Sequence, residues 1–440
     1  MNSDFANQTL LNPVGLIAVI VLGLATVLLP RRWAVVPMIV MACLIAPGQR
    51  LVVATLDFDL LRIMVLFGWL RVMLRGEYRG FAFRPIDYAL LAWALAGIVT
   101  YTLLYGSVAA MVNRLGVAFD AAGMYFVFRC WVRDWRDLDR IVVAFAVISV
   151  PVAAAFVYEQ VTRHNLFSLL GGVPARTLVR QGRLRAQGAF PHPIMAGCFF
   201  AAIMPLLAAR WWQGPRARTL SVIGLTAAGI IVLATASSTP VLMVALGVFG
   251  AGMYLLRRRL RLICWGAVAM LVMLHLVMKK PVWHLLARVN VVGGSTGWHR
   301  YHLVDQAIRR FGEWALLGTK STEHWGLGLI DVTNQYVLEG VRGGVLTLGL
   351  FVLTLVLAFR GLGKRLQLVR RPEHVAMVWA LGVALFVHCC AFVAVSYFGQ
   401  IKLLWYLTLA IIGSLTPLSA PQPARSTCRM TSPPAELQRY

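Results

Sequence analysis

The chain is poor in charge, and poorest in acid. Charged residues are 13% of its 440 residues, with 17 Asp and Glu against 42 Lys and Arg. Soluble domains of this length carry about 25% charged residues. An ordinary soluble fold is thereby excluded, because the hydrophobic 59% comes in long unbroken runs. Period-two alternation is missing too, which argues against an outer-membrane barrel. The cysteines are few: Cys43, Cys130, Cys198, Cys264, Cys389, Cys390 and Cys428. All but Cys428 lie in or beside apolar runs, where they act as small buried hydrophobes. They show no metal or redox spacing, so no disulfide framework is implied. The first apolar run lacks the basic flank and small-residue site of a cleavable signal, and reads as a retained span.

What is present is mostly hydrocarbon, with a mean hydropathy of +0.73. About 20 consecutive apolar residues cross a bilayer as a helix. Thirteen runs qualify, at roughly 13–30, 33–48, 58–75, 86–106, 108–129, 138–158, 194–212, 219–235, 238–256, 260–278, 335–360, 374–396 and 398–417. The second is short and could be re-entrant, leaving twelve. The expected fold is an all-α polytopic bundle of 12–13 transmembrane helices. It forms one transmembrane domain over 1–418, followed by a disordered, Pro- and Ser-rich tail at 419–440.

Lysine and arginine orient the bundle. They collect in every second connection, from Arg31 and Arg32 through Arg133, Arg136 and Arg140 to Arg257, Arg258 and Arg259. Short positive loops stay in the cytoplasm. This places the C-terminus inside and two long loops, about 159–193 and 279–334, outside. The net charge of +25 is therefore a topology signal, and nucleic acid is not an expected partner.

Both long outer loops are themselves basic, against that trend. The run VRQGRLRAQGAFPHP at 179–193 holds Arg180, Arg183 and Arg185, and the only acid of its loop is Glu159. Guanidinium forks suit phosphate, because they donate paired hydrogen bonds and never deprotonate. A lipid-linked diphosphate at the outer leaflet is one fitting ligand; a solvated loop or headgroup contact is the bland alternative. The second loop holds an amphipathic helix from Trp298, with Tyr301, Val304, Ile308, Phe311 and Ala315 as its apolar stripe. His302, Gln306 and Arg310 lie on another face. Ionisable groups inside spans are costly and functional by default. Asp120, His275 and His388, with Asp57, Asp59, Arg62 and Lys402 at span starts, all lie toward the outer side.

Three stretches resemble the bacterial O-antigen ligase and Wzy-type polysaccharide polymerase superfamily. The run RAQGAFPHPI from Arg185 resembles that family's Arg-x-x-Gly-Thr-Phe-x-x-Pro segment. Arg300 resembles the arginine of its large periplasmic loop. The run 326–338, GLGLIDVTNQYVL, followed by Gly343 and Gly344, resembles its Gly-x-Gly to His-Asn-x-Tyr-Leu segment. The resemblance implies an inner-membrane glycosyltransferase that moves a glycan from undecaprenyl diphosphate to an acceptor hydroxyl of a glycan, lipid or protein. It implies no metal, nucleotide or other cofactor. Arg185 and Arg300, with Arg180, Arg183 and Asn334, would bind the donor. The family's His-Asn pair reads Thr333-Asn334 here, and a position where acid is common reads Arg342. Threonine is no general base near neutral pH. His302, His299, His324 and Asp331 are the candidate bases, and a base must reach the acceptor hydroxyl.

Other classes fit less of the sequence. A transporter binds near the midplane through broken helices and repeats; no repeat is evident, and Ser237-Ser238-Thr239-Pro240 reads as a short outer turn. A metal-dependent transferase could use Asp57 and Asp59. A non-catalytic member of a polysaccharide-export assembly is the last alternative.

Overall fold

The computed structural model describes residues 9–53, 56–288 and 297–415. The expected tail at 419–440 and most of the glycine-rich entry at 293–297 lie outside the described residues. The chain is an all-α bundle. Its helices are α1 Pro13–Leu28, α2 Val36–Leu44, α3 Leu60–Leu74, α4 Pro85–Tyr105, α5 Val108–Trp131, α6 Trp135–Thr162, α7 Pro193–Ala209, α8 Pro215–Ala234, α9 Ser238–Gly252, α10 Leu260–Val277, α11 Gly297–Arg309, α12 Phe311–Trp314, α13 Gln335–Leu368, α14 Pro372–Phe392 and α15 Ile401–Leu415. Two small antiparallel hairpins complete it: β1 Arg50–Val53 with β2 Leu56–Asp59, and β3 Val179–Arg180 with β4 Arg183–Leu184.

Each expected span coincides with a helix. Among the described residues, seven helical stretches are long and apolar enough to cross a membrane, with α9 and α10 counted as one continuous run. The chain is a multi-pass membrane protein. Inside a bilayer every backbone polar group must be satisfied internally, which helices achieve. Their free ends are capped locally: Asn12, Ser107 and Asp134 accept from backbone N–H groups of the first turns of α1, α5 and α6. The core centres on α7 and α15, where almost every residue is buried.

The two ends of the bundle are distinguishable. At the end of α1, Arg71 donates to Thr26 O at 2.7 Å and pairs with Glu77 at 2.7 Å. Arg31 pairs there with Asp137 at 2.6 Å, Arg129 with Asp87 at 2.9 Å, and Arg210 with Asp139. This is the ion-paired end. At the start of α1, Asn12 N–H meets Gln49 Oε1 at 3.0 Å, and Gln49 Nε2 reaches Leu170 O at 2.8 Å. This is the loop end.

Two spans depart from plain helices. The run 33–48 forms only a nine-residue helix, α2, about 13 Å long, followed by non-helical chain from Ile45 through a turn at Pro47 and Gly48 to Gln49. Such backbone is tolerated at membrane depth only where protein buries it. Ile45 and Ala46 are buried, and Ile45 O accepts from Gln400 Nε2. The run 335–360 is folded back on itself. Gly343 and Gly344 leave helical geometry, Gly344 at φ +73°. A Cβ on Gly344 would lie 2.1 Å from Leu316 O. Tyr336 and Phe351 have ring centroids 6.0 Å apart, whereas a straight helix would separate them by roughly 22 Å. Thr347 Oγ1 donates back to Glu339 O at 2.8 Å. So α13 has a short arm, 335–342, and a spanning arm, 345–368.

The amphipathic helix exists but buries a different face. Gly297, Arg300, Leu303, Asp305 and Ala307 face inward, while Ile308 and Phe311 of the expected stripe stay exposed. Arg310 breaks the helix before α12, and Trp314 turns in to pack with Leu303, Ala307, Trp325 and Leu329.

Candidate functional site: two acid-free arginines at the loop end

The first long loop is pinned by its own acid. Glu159, at the end of α6, is fully buried. It accepts from Thr177 Oγ1 at 2.9 Å, Gln187 N at 3.1 Å and Gly188 N at 3.0 Å. It is therefore engaged by the loop backbone and pairs with none of the loop arginines. Asn165 Nδ2 donates to Gly188 O at 2.8 Å. Ala186 N–H donates to Ala234 O at 3.1 Å, the last residue of α8. These ties turn Arg185 down into the bundle.

Arg185 is buried, and its Nη2 donates to Ser237 Oγ at 2.6 Å. Its Nε is buried without a partner among the described residues. Arg300 is also buried; its Nη2 donates to Thr239 Oγ1 at 3.1 Å and its Nε to Ala394 O at 3.0 Å. The two long loops thus each send one arginine to the same α8–α9 turn. That turn approaches α7 closely at Gly197, where a Cβ would lie 2.4 Å from Pro240. Burial lowers the pKa of both arginines, and the nearby Arg180 lowers that of Arg185 further. Among the described residues no carboxylate acts on either. A guanidinium in this state is held in a poorly solvated site with neutral acceptors, and an incoming anion relieves it.

The other donor candidates divide. Arg180 and Arg183 sit on the β3–β4 hairpin and are exposed. His192 caps α7, its Nδ1 accepting from Ile194 N at 3.1 Å. Burial first, then Arg185 and Arg180, push its pKa down to about 4. Asn334 caps α13, accepting from Val337 N at 3.1 Å while its Nδ2 donates to Val393 O at 3.1 Å. Its amide oxygen and nitrogen are both engaged in holding the fold.

The candidate bases also divide. His299 and His302 share one face of α11, three residues apart, while Arg300 points to the bundle. His299 Nε2 lies 3.2 Å from Asp331 O, and His302 Nε2 packs against Gly326. His299, His302 and Asp331 are brought together at the 326–331 loop. His324 is elsewhere, paired with Glu313 at 2.8 Å. That contact, then Trp325, pulls the Glu313 carboxyl down to about 2. The Thr333 hydroxyl is buried without a partner among the described residues.

Of the remaining ionisable groups, Asp57 pairs with Arg50 at 3.2 Å and Asp59 caps α3. Arg62 grips Asp120 with two bonds of 2.7 Å. His388 Nδ1 lies 2.8 Å from the Tyr397 hydroxyl, and His275 stacks on Trp283. Asp120 and Lys402 line a cavity of about 110 Å³ with Trp93, Arg114, Glu339 and Arg342. Sequence reading missed two things: the Ser237–Thr239 turn as the meeting point of the arginines, and this cavity. A polar triplet between two long apolar runs was the signal for the first.

No protein-family model matches the chain, and no curated protein matches it.

Proposed function

We propose that the chain transfers or polymerises a glycan from an undecaprenyl-diphosphate-linked donor onto an acceptor hydroxyl. The reaction takes place on the outer face of a bacterial inner membrane, with the long loops outside and the C-terminus cytoplasmic. The observation that supports this most is the pair Arg185 and Arg300, buried at one turn with hydroxyl and carbonyl partners and no carboxylate. A diphosphate supplies the missing negative charge, and its polyprenyl chain stays in the bilayer. In the transfer, the acceptor oxygen bonds to the anomeric carbon. The bond from that carbon to the diphosphate oxygen breaks, its electron pair stays on the diphosphate, and the hydroxyl proton leaves to a base. The arginines stabilise the charge growing on the leaving diphosphate. His299 and His302 stand beside Arg300 on α11 as the candidate bases.

The test is a strain lacking the chain. Its undecaprenyl-diphosphate-linked intermediates should accumulate and its surface glycan should shorten or vanish. Wild type should restore both, and Arg300→Ala should restore neither while still inserting. Unchanged pools and glycans would reject transfer chemistry.

A transporter is the second reading. The folded-back α13 and a cavity holding Arg114, Asp120, Glu339, Arg342 and Lys402 favour it, since transporters bind at broken helices. Substrate-dependent uptake by proteoliposomes, unaffected by Arg185→Ala and Arg300→Ala, would establish it instead.

A further inference from the structure

The cavity behind the α14–α15 connection has the build of a second ligand site. Its walls come from α4, α5, both arms of α13 and α15. Tyr397 separates it from the arginine turn: this residue lines the cavity, while Ala394, three residues earlier, accepts from Arg300. Its two carboxylates are already satisfied. Asp120 is held by both ends of the Arg62 fork. Glu339 accepts from Trp93 Nε1 at 2.9 Å and from Gln335 Nε2 at 2.7 Å.

Its cations are not. Among the described residues no carboxylate comes within ion-pair distance of Arg114, Arg342 or Lys402. Arg114 stacks on Tyr101 with its guanidinium 4.0 Å from the ring centroid, donates from Nη2 to Arg342 O at 3.4 Å, feels Glu339 only at longer range, and has its Nε buried without a partner among the described residues. Lys402 feels Asp120 and Asp59 only at longer range. Arg342 is exposed and marks the mouth. The uncommitted groups are therefore all donors, and a ligand must bring acceptors and negative charge. Much of the remaining wall is aromatic, from Trp93, Trp405 and Tyr406, among aliphatic side chains such as Leu90, Val117 and Leu409.

Size narrows the class. The cavity is about 110 Å³. A water needs roughly 10–15 Å³ of such space, so the cavity takes about seven to eleven water-sized atoms, enough for a pyranose ring and its carboxylate, with the ring hydroxyls reaching the mouth at Arg342. That fits one sugar ring, not an oligosaccharide, and it leaves a bare phosphate loose. Flat aromatic faces suit the C–H faces of a sugar, and guanidinium and ammonium suit a carboxylate.

We infer that this chamber binds a single carboxylated sugar, a hexuronate-type residue, with Lys402, Arg114 and Arg342 on its carboxylate. Its residues differ from those of the arginine turn, so the inference stands without the diphosphate reading. Placing the acceptor end of a glycan here rests on that reading.

The test uses the full chain in lipid nanodiscs, titrated by calorimetry with glucuronate, glucose and inorganic phosphate. Glucuronate should bind, with glucose and phosphate each at least about tenfold weaker. Lys402→Gln should weaken glucuronate by roughly tenfold or more, the scale of a lost charge-assisted hydrogen bond. Arg342→Gln, at an exposed position where folding is not at stake, should weaken it by a smaller factor. Arg300→Ala should leave it within about twofold, while lowering binding of farnesyl diphosphate. Phosphate binding as tight as glucuronate, or no glucuronate binding in wild type, would overturn the inference. So would glucuronate binding that persists unchanged in both Lys402→Gln and Arg342→Gln. Farnesyl diphosphate binding indifferent to Arg300→Ala would sink the diphosphate reading and leave this one standing.

Discussion

At one end of the bundle, each buried arginine meets a carboxylate: Arg71 with Glu77, Arg129 with Asp87, Arg210 with Asp139. At the other, the buried arginines Arg185 and Arg300 meet only hydroxyls and a carbonyl. The first arrangement is complete within the chain and holds connections together. The second leaves positive charge uncompensated in a poorly solvated place, where it costs stability. With only 17 acids in the chain, their distribution is informative. Glu159, at the end of α6, is the acid nearest in sequence to Arg185, yet it binds the loop backbone. The contrast gives the ion-paired end a structural role and supports the proposal that the loop end binds an anion.

That contrast can be broken by substitution. The largest effect is expected from Arg129→Ala, which strands Asp87 in the core. Breaking a buried pair in this way costs about 3–5 kcal/mol, read as a drop in thermal unfolding of the purified chain. Arg300→Ala strands no charge; it removes two charge-assisted bonds to neutral acceptors but also relieves a buried unpaired charge, so its net cost should be smaller. Equal destabilisation by the two substitutions would erase the distinction between the ends. For ligand binding the order reverses. Arg185→Ala and Arg300→Ala should each cost about 1.5–3 kcal/mol of diphosphate affinity, whereas a milder Arg210→Lys should leave it unchanged. Ser237→Ala removes the charge-assisted hydrogen bond that orients Arg185 but leaves its charge in place, and should loosen affinity by a few-fold.

The smallest effect is a pH signature. His192 is neutral in the folded chain down to about 4, against 6.5 for an unperturbed histidine. Its contribution to stability is fully present above 6.5 and is lost as pH falls through about 4, because the unfolded chain takes up the proton first. Neutralising Arg185 should raise the His192 pKa part-way, since burial, the larger cause, remains. Nitrogen-15 chemical shifts of labelled histidine, with and without pyrophosphate, measure this; an unmoved pKa would mean that the anion binds elsewhere.

Most of the helical frame was legible from sequence because long apolar runs leave the backbone few alternatives. The departures occur where tertiary contacts override that pattern. Gly343 and Gly344 lie inside an apolar run that reads as one span, and the fold-back depends on Leu316 and Ala315 closing against them. The stripe expected on the amphipathic helix fails at Ile308 and Phe311, because Arg300 and Leu303 turn its other face inward. Arg185 and Arg300 were legible as cations with few local acids. Their convergence was not, since Ser237 and Thr239 lie 52 and 61 residues from them in sequence. Nor was Glu339 legible as part of a cavity, because its partner Trp93 is 246 residues away.

The most direct measurement is binding of farnesyl diphosphate to the purified chain in nanodiscs, compared across wild type, Arg185→Ala and Arg300→Ala at matched folding. Two acid-free arginines that hold a diphosphate predict at least roughly tenfold weaker binding in each variant, and no measurable binding in the double variant. Equal affinity in all four proteins would contradict the assignment of the loop end to a lipid-linked diphosphate.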